Sequence, residues 1–456
     1  MNQLTTVILA AGHGKRMKSN LPKVLHKIGG NPMVKHVIDV AYSVDSNRVV
    51  VVVGHGKDQV MSTLENENVI FAEQKEQLGT GHAVMMAKEH FGSGDVLVLF
   101  GDAPLLSHET LALFIDYHKK NNFGASLISM QFEDPTGYGR IVRDGTNAFK
   151  RIVEHKDADA DLLKIKEVNS GIGIFKSELL SEGLKHLQND NQQGEYYLTD
   201  VFEWVLGSGN PVGAFIASDS AELMGVNDRV ALSQAEKYLQ NKLVKKHMLN
   251  GVTFLAPETV YLGKEVLIGQ DTVVYPGSIL LGNTNIGQNC IIGPNADLNH
   301  VIVEEGVHIK QSTLVESKVG SYSKIGPYAY LRPNSMIGKN VKIGDFVEVK
   351  NSTIGDDTKV SHLTYVGDGV IGKNVNLGCG VVFVNYNGKS KHITEVEDNV
   401  FVGCNSNLIA PVKIGKGAYV AAGSTITDDV PGEALAIARQ RQVNKTEWSN
   451  KYTPKK

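Results

Sequence analysis

Cysteine is scarce in this chain: three residues in 456, Cys290, Cys379 and Cys404. They are too few and too scattered for a disulfide framework or a zinc site, so a reducing compartment is expected. No stretch approaches the ~20 apolar residues that cross a bilayer, and residues 1–12 hold only a short apolar run with no basic segment before it. A soluble, cytoplasmic protein with no membrane partner is the expectation. An excess of one charge sign is missing too. A formal net charge of −3 leaves no basic footprint, and no nucleic-acid partner is expected. At 456 residues with 42% hydrophobic and 21% charged, the chain can build large cores and should hold two or three domains.

What is present is a period of six. Ile268, Val274, Leu280, Ile286, Ile292 and Leu298 form one run, Val319, Ile325, Leu331, Ile337, Ile343 and Val349 a second, and Val402, Leu408, Ile414, Val420 and Ile426 a third. Glycine follows many of them, as in Ile268-Gly269 and Ile343-Gly344. Six matches neither the ~3.6-residue helical period nor simple strand alternation, so the repeat is a supersecondary unit. Three hexads, on the order of 18 residues, make one triangular coil of a parallel β-helix, with the small residue easing the corner. The phase slips by one between Val349 and Ile354 and between Val366 and Ile371, and Asn385 to Lys389 reads as an excursion from the coil.

Upstream of the solenoid, apolar runs at Thr5–Ala11, Arg48–Gly54, Val69–Ala72, Asp95–Phe100 and Ala125–Gln131 alternate with helical stretches at Pro32–Val44 and His82–His90. This alternation predicts a mostly parallel, doubly wound α/β domain with its site at the carboxyl ends of the strands. The first run leads into Gly12-His13-Gly14-Lys15-Arg16-Met17, a glycine-rich turn with two cations that suits phosphate. It matches neither the dinucleotide fingerprint nor the P-loop pattern. Asp102 follows another strand. A carboxylate there costs desolvation unless a cation meets it, and Mg²⁺ bridging to phosphate is one answer; alone, Asp102 serves equally well as a helix cap. The domains read as 1–227, a linker helix over 228–250 with an apolar stripe of Leu232, Ala235, Tyr238, Leu239, Leu243 and Met248, the β-helix over 251–430, and a basic tail over 431–456.

Within about three coils the solenoid gathers Arg332, Glu348, Lys350, His362, Tyr365, Asn376, Asn385, Tyr386 and Lys391. Arg332 and Lys350 together suit a dianionic phosphate. Glu348, fourteen residues before His362, is a candidate to fix its imidazole tautomer. The tail carries Arg439, Arg441, Lys445, Lys451, Lys455 and Lys456 with Trp448 among them, and reads equally as a solvated terminus or a phosphate-contacting arm.

The segments LAAGHGKRM (9–17), Leu21-Pro22-Lys23, Gln77-Leu78-Gly79-Thr80, Gly101-Asp102-Ala103-Pro104, Gly137-Tyr138-Gly139-Arg140, Glu154-His155-Lys156 and Glu195-Tyr196-Tyr197-Leu198-Thr199-Asp200 resemble the sugar nucleotidyltransferases. Joined to hexapeptide repeats, the whole chain resembles the bacterial bifunctional N-acetylglucosamine-1-phosphate uridylyltransferase and glucosamine-1-phosphate acetyltransferase family. The resemblance implies a Rossmann-like nucleotidyltransferase domain and a left-handed β-helix, contrary to the usual right-handed crossover. It implies two reactions: acetylation of glucosamine 1-phosphate by acetyl-CoA, then uridylyl transfer from UTP, giving UDP-N-acetylglucosamine for cell-envelope synthesis. In the first domain it implies that Leu9, Ala10, Ala11, Gly12, Phe100 and Gly101 line the UTP site and that Gln74, Gly79 and Thr80 read uracil. Gly139, Glu154 and Asn169 would hold the acetylated sugar, Arg16 and Lys23 would stabilise phosphate charge, and Asp102 and Asn227 would bind Mg²⁺. In the solenoid it implies glucosamine 1-phosphate on Arg332, Lys350, Tyr365, Asn376, Asn385 and Tyr386, with His362 as base beside Glu348. Acetyl-CoA would lie along Cys379, Cys404, Ala422 and Arg439, at subunit boundaries of a homotrimer. Three departures from the family pattern stand out: Asn387 for the usual Asp, Cys379 and Cys404 for small residues such as Ala and Ser, and Lys15 for Thr.

Overall fold

A computed structural model describes residues 3–452 of the chain. Lys455 and Lys456 of the expected basic tail lie outside the described residues. The chain divides into two compact units between Leu239 and Gln240.

In the first unit the strands of the main sheet are β1 (Gln3–Leu9), β2 (Arg48–Val53), β3 (Ile70–Glu73), β4 (Gly94–Phe100), β5 (Ala125–Gln131), β6 (Arg140–Arg143), β7 (Phe149–Val153), β8 (Glu167–Lys176) and β9 (Val212–Ile216). They form one sheet ordered β9-β5-β8-β4-β1-β2-β3, with the β6/β7 hairpin hung on β8. All neighbours on that path are parallel except those of β8, which runs antiparallel to both β4 and β5. The continuous apolar runs follow from burial on both faces. Along β2, Val49, Val51 and Val53 enter one core while Val50 and Val52 enter another. Helix α1 (Met33–Ser43) covers the first of these cores with Val34, Val37, Ile38 and Ala41, one helical face.

Two expected helices are displaced or shortened. The second begins earlier than His82, as α2 (Thr80–Met86), with a separate 3-10 turn at Lys88–His90. The linker helix is α3 (Arg229–Leu249), and its expected stripe is not continuous. Ala235, Leu232, Tyr238 and Leu239 pack with Ile28, Met33, Leu105 and Val226 in the first unit. In the second unit Val244 joins the solenoid core with Leu243 against it, and Met248 is 48% exposed.

In the second unit the described residues form three parallel sheets of eleven, ten and nine strands, each strand two to four residues long. Partners in adjacent coils are 16 to 18 positions apart, as His308 with Lys324, Asn285 with Ile302 and Val273 with Ile291, and 25 apart where the chain makes its excursion, as Asn376 with Phe401. One inward residue per strand builds the core, and every aliphatic residue of the three six-step runs is buried. Glycine after the aliphatic residue answers a different need from the expected one. A Cβ on Gly269 would come within 2.6 Å of the Gly287 carbonyl carbon one coil away, so the small residue permits the close stacking of coils. The left-handed backbone at the corners is carried two residues later, for instance by Asp271 (φ 59°) and Asn289 (φ 56°). The excursion runs past Lys389, because an antiparallel bridge joins Tyr386 to Lys391. The coil also continues beyond position 430, where Leu435–Ala436 pairs with Tyr419–Val420.

Because each coil is held by its neighbours, loss of one inward side chain is felt directly. Leu331→Ala, at a fully buried position, should destabilise the solenoid by roughly 2–5 kcal/mol. Tyr322→Ala, at an exposed corner, should stay within about 0.5 kcal/mol. Chemical denaturation followed by circular dichroism reads the difference, and equal midpoints for the two variants would contradict the assignment of the core.

Candidate active sites

The carboxyl ends of β1, β3 and β4 converge on a cleft of about 280 Å³ lined by Leu9, Ala10, Ala11, Gly12, Lys23, Gln74, Gly79, Thr80, Phe100 and Asp102. A second recess of about 390 Å³ shares Phe100 and Asp102 and adds Arg16, Tyr138 and Asn227. A third, about 190 Å³, shares Phe100 with Gly139, Glu154, Asn169, Ser170 and Thr199. Gly101 lies at the root of these recesses, its N–H donating to the Leu9 carbonyl at 3.0 Å. The structure therefore brings together the first-domain residues singled out in the sequence.

The backbone explains the convergence. Gln74 prolongs the β3 ladder by donating its N–H to Val53 O at 2.8 Å, and Val226 donates to Asp102 O at 2.8 Å, which draws Asn227 beside Asp102. Gly14, at φ 58°, lets the glycine-rich turn lie on Lys23; a Cβ there would sit 2.6 Å from the Lys23 Cβ. The Lys23 ammonium is ion-paired to Asp102 and donates to Asn227 Oδ1 at 3.1 Å. Both charged side chains are 15% exposed. Asp102 and Asn227 thus already share a cation between their oxygens, and two hard oxygen donors of this kind fit a divalent ion.

The Glu154 carboxylate lies against Gly139. Its pKa is raised, first by burial and then by Asp200 and Asp157, with the Thr199 hydroxyl opposing. Sequence reasoning missed β8, whose register breaks between Asn169 and Gly173. Gly171 and Gly173 obscure its strand pattern, yet β8 delivers Asn169, Ser170 and Gly171 to the third recess.

On the solenoid, Arg332 donates to Glu348 Oε1 at 2.8 Å. Arg332 and Lys350 occupy equivalent places one coil apart, since Leu331 pairs with Val349. Lys391, brought back by the excursion, lies beside Lys350 and lowers its pKa, with burial and Arg332 acting in the same direction. Three cations held together in this way suit a phosphate dianion. Asn385 is buried and donates to Asp368, while the Tyr386 hydroxyl donates to Gly388 O at 2.8 Å. The Tyr365 hydroxyl and the Asn385 amide both lie over Gly367. Asn376 sits on the neighbouring sheet, paired with Lys359 and Phe401.

The carboxylate on His362 is Asp345, not Glu348. Asp345 Oδ1 lies 2.6 Å from His362 Nδ1, and the reason is register: Asp345 pairs with His362, whereas Glu348 pairs with Tyr365 and is engaged by Arg332. A separation of fourteen falls short of a full coil; seventeen completes one. A carboxylate accepts only, so the proton sits on Nδ1 and the neutral ring presents Nε2 as a base. Cys379 is half-buried and Cys404 exposed, Ala422 is exposed, and the Arg439 stem lies over Gly423 next to Ala422. In the tail, the Lys445 and Lys451 ammonium groups lie 5.3 and 5.1 Å from the Trp448 ring centre. Among the described residues no helix is long and apolar enough to cross a membrane.

An α/β domain with a cleft at its strand ends, followed by a hexapeptide solenoid that carries an imidazole–carboxylate pair and a cation cluster on neighbouring coils, defines a nucleotidyltransferase fused to an acyltransferase. Family models agree: residues 6–164 match the MobA-like NTP transferase domain, residues 265–296 and 393–428 the bacterial transferase hexapeptide repeat, and residues 318–390 the GMPPB C-terminal domain. Proteins named bifunctional protein GlmU are 50% identical over 452 residues in Geobacillus sp. strain WCH70 (99% of this chain, 98% of that protein). The corresponding protein of Clostridioides difficile strain 630 is 52% identical over 450 residues, and that of Caldanaerobacter subterraneus subsp. tengcongensis 53% over 449, each covering 98% of both chains. The chain belongs to the GlmU family. It is a bifunctional enzyme of UDP-N-acetylglucosamine synthesis, with acetyltransferase and uridylyltransferase activities, and its solenoid is a left-handed parallel β-helix. The nucleotidyltransferase half implies a divalent metal cation.

A divalent ion placed on the Asp102 and Asn227 oxygens would have to displace the Lys23 ammonium that they now hold. Lys23→Met should therefore bind Mn²⁺ more tightly without nucleotide, by about tenfold or more. Titration calorimetry measures it, and unchanged or weaker Mn²⁺ binding would contradict the competition.

Proposed function

We propose that the first-unit cleft carries uridylyl transfer and the His362 region carries acetyl transfer, with Mg²⁺ as the metal. UTP lies across Gly12, Gln74, Gly79 and Thr80, and N-acetylglucosamine 1-phosphate lies toward Gly139, Glu154 and Asn169. The sugar phosphate oxygen attacks the α-phosphorus in line and pyrophosphate leaves, so the protein's task is positioning and charge neutralisation. Arg16 and Lys23 hold phosphate charge; Lys23 does so after exchanging Asp102 for phosphate. Mg²⁺, held by Asp102 and Asn227, supplies charge neutralisation when bound.

In acetyl transfer, Arg332, Lys350 and Lys391 hold the phosphate of glucosamine 1-phosphate, with Tyr365, Asn376, Asn385 and Tyr386 around the sugar. His362 Nε2 accepts the amine proton as nitrogen attacks the thioester, and the coenzyme A thiolate leaves. Asp345 is a positioning residue that holds the tautomer. Acetyl-CoA lies along Cys379, Cys404 and Ala422, with Arg439 on its phosphates. The observation that carries this reading is the His362–Asp345 contact of 2.6 Å on the same few coils as the cation cluster. The tail and the flat solenoid faces suit a cytoplasmic homotrimer with acetyl sites at subunit boundaries.

The two half-reactions, assayed separately, test the division of labour. Asp102→Asn should sharply lower uridylyl transfer and leave acetyl transfer intact. His362→Ala should lower acetyl transfer on the order of 10²- to 10⁴-fold, with little change in sugar phosphate affinity and none in uridylyl transfer. A variant that loses both activities together would sink the assignment. For assembly, light scattering should give a trimer at micromolar concentration; a stable monomer would contradict it.

A further inference from the structure

We infer that Cys379 and Cys404 form a reversible disulfide that switches acetyl transfer off, a modification site that rests on the reading of the His362 region as the acetyl site. Register places the two thiols together. Val360 pairs with Leu377 and Leu377 with Val402, so two residues further on His362, Cys379 and Cys404 occupy equivalent places in three successive coils. The corner after them repeats too: Leu363, Gly380, Asn405 and Gly423 all have left-handed backbone, at φ 46°, 75°, 56° and 72°. Asn405 donates its N–H to Cys379 O at 2.8 Å, and Gly423 donates to Cys404 O at 2.8 Å. The result is one column running Asp345, His362, Cys379, Cys404, Ala422. Stacked coils lie about 4.8 Å apart, inside the roughly 4.4–6.8 Å between Cα atoms that a disulfide spans.

Chemistry and access agree with position. Cys404 is exposed and Cys379 half-buried, while Cys290 is buried. The Cys290 thiol donates to Glu304 O at 3.1 Å and burial raises its pKa, so it stays inert. Cys379 lies one coil on from His362 in the same column, and its thiol reacts as the thiolate, the proton it loses going to the departing hydroxide. With a peroxide as oxidant, the thiolate attacks one oxygen, the O–O bond breaks and hydroxide leaves, taking up a proton. The resulting sulfenic acid condenses with the Cys404 thiol, the S–O bond breaks and water departs. Two thiols and one peroxide give one disulfide and two waters, with two electrons passing from sulfur to oxygen. The bridge stands next to the base on the path proposed for the thioester, and the ring it closes contains Asn385 and Tyr386.

The test treats the full-length protein with hydrogen peroxide, alkylates it, digests it for mass spectrometry and assays both reactions. A peptide linking Cys379 to Cys404 should appear with Cys290 still alkylated, and acetyl transfer should fall about tenfold or more. Dithiothreitol should restore it, with uridylyl transfer unchanged throughout. Cys404→Ser should give no linked peptide and, with no resolving thiol, a Cys379 sulfenic acid that dimedone labels; a linked peptide involving Cys379 in this variant would count against the pairing. Three alkylatable thiols after peroxide, or a linked peptide with undiminished acetyl transfer, would overturn the inference. Neither result bears on His362→Ala, which tests the acetyl site independently of any thiol.

Discussion

The coil-on-coil register of the solenoid is the constraint on which the C-terminal half depends. Each strand residue lies over its equivalent one coil away, 16 to 18 positions along the chain or 25 across the excursion, and backbone hydrogen bonds hold that alignment. Inward columns of Ile, Val and Leu become the core, and outward columns concentrate whatever chemistry the sequence places at equivalent positions. The Asp345–His362 contact, the Arg332–Lys350 stack and the cysteine pair all follow from this geometry. A one-residue slip within a coil would bring Gly344 or Phe346 to the imidazole in place of Asp345, so register sets the surroundings of His362 as well as the fold.

The first unit works by a different constraint, the charge balance at the ends of buried parallel strands. Ionised groups that are 15% exposed lose much of their hydration, and an unpaired one would be costly. Lys23 answers Asp102 in the free protein. On the proposed reading the same need would favour ligands that bring both signs of charge: a divalent ion to replace the ammonium, and a phosphate to receive it.

Much of this was legible in the sequence because periodicity reports burial. The six-residue step marks the inward positions of successive strands, which stack into the three core columns, and the apolar runs after Thr5, Arg48 and Asp95 mark parallel strands. Motif residues from Leu9 to Asn227 line three recesses that share Phe100, several of them, such as Gln74 and Asp102, just past a strand end. What stayed hidden depended on non-local pairing. β8 alternates poorly around Gly171 and Gly173 and runs against its neighbours. Glu348 looked like the partner of His362 by proximity along the chain, but coil length decides which carboxylate meets the ring. The strand at Leu435–Ala436 lies beyond Pro431, where the hexad pattern has already faded.

The central claim is that two separate sites do the two reactions, one at strand ends and one on the Asp345–Ala422 column. A crystal structure of the chain with UDP-N-acetylglucosamine and coenzyme A bound together tests it most directly. The account predicts the diphosphate beside Arg16, Lys23 and Asp102, and the coenzyme sulfur on the column next to His362. Coenzyme A density away from that column, with His362 facing only solvent, would contradict it.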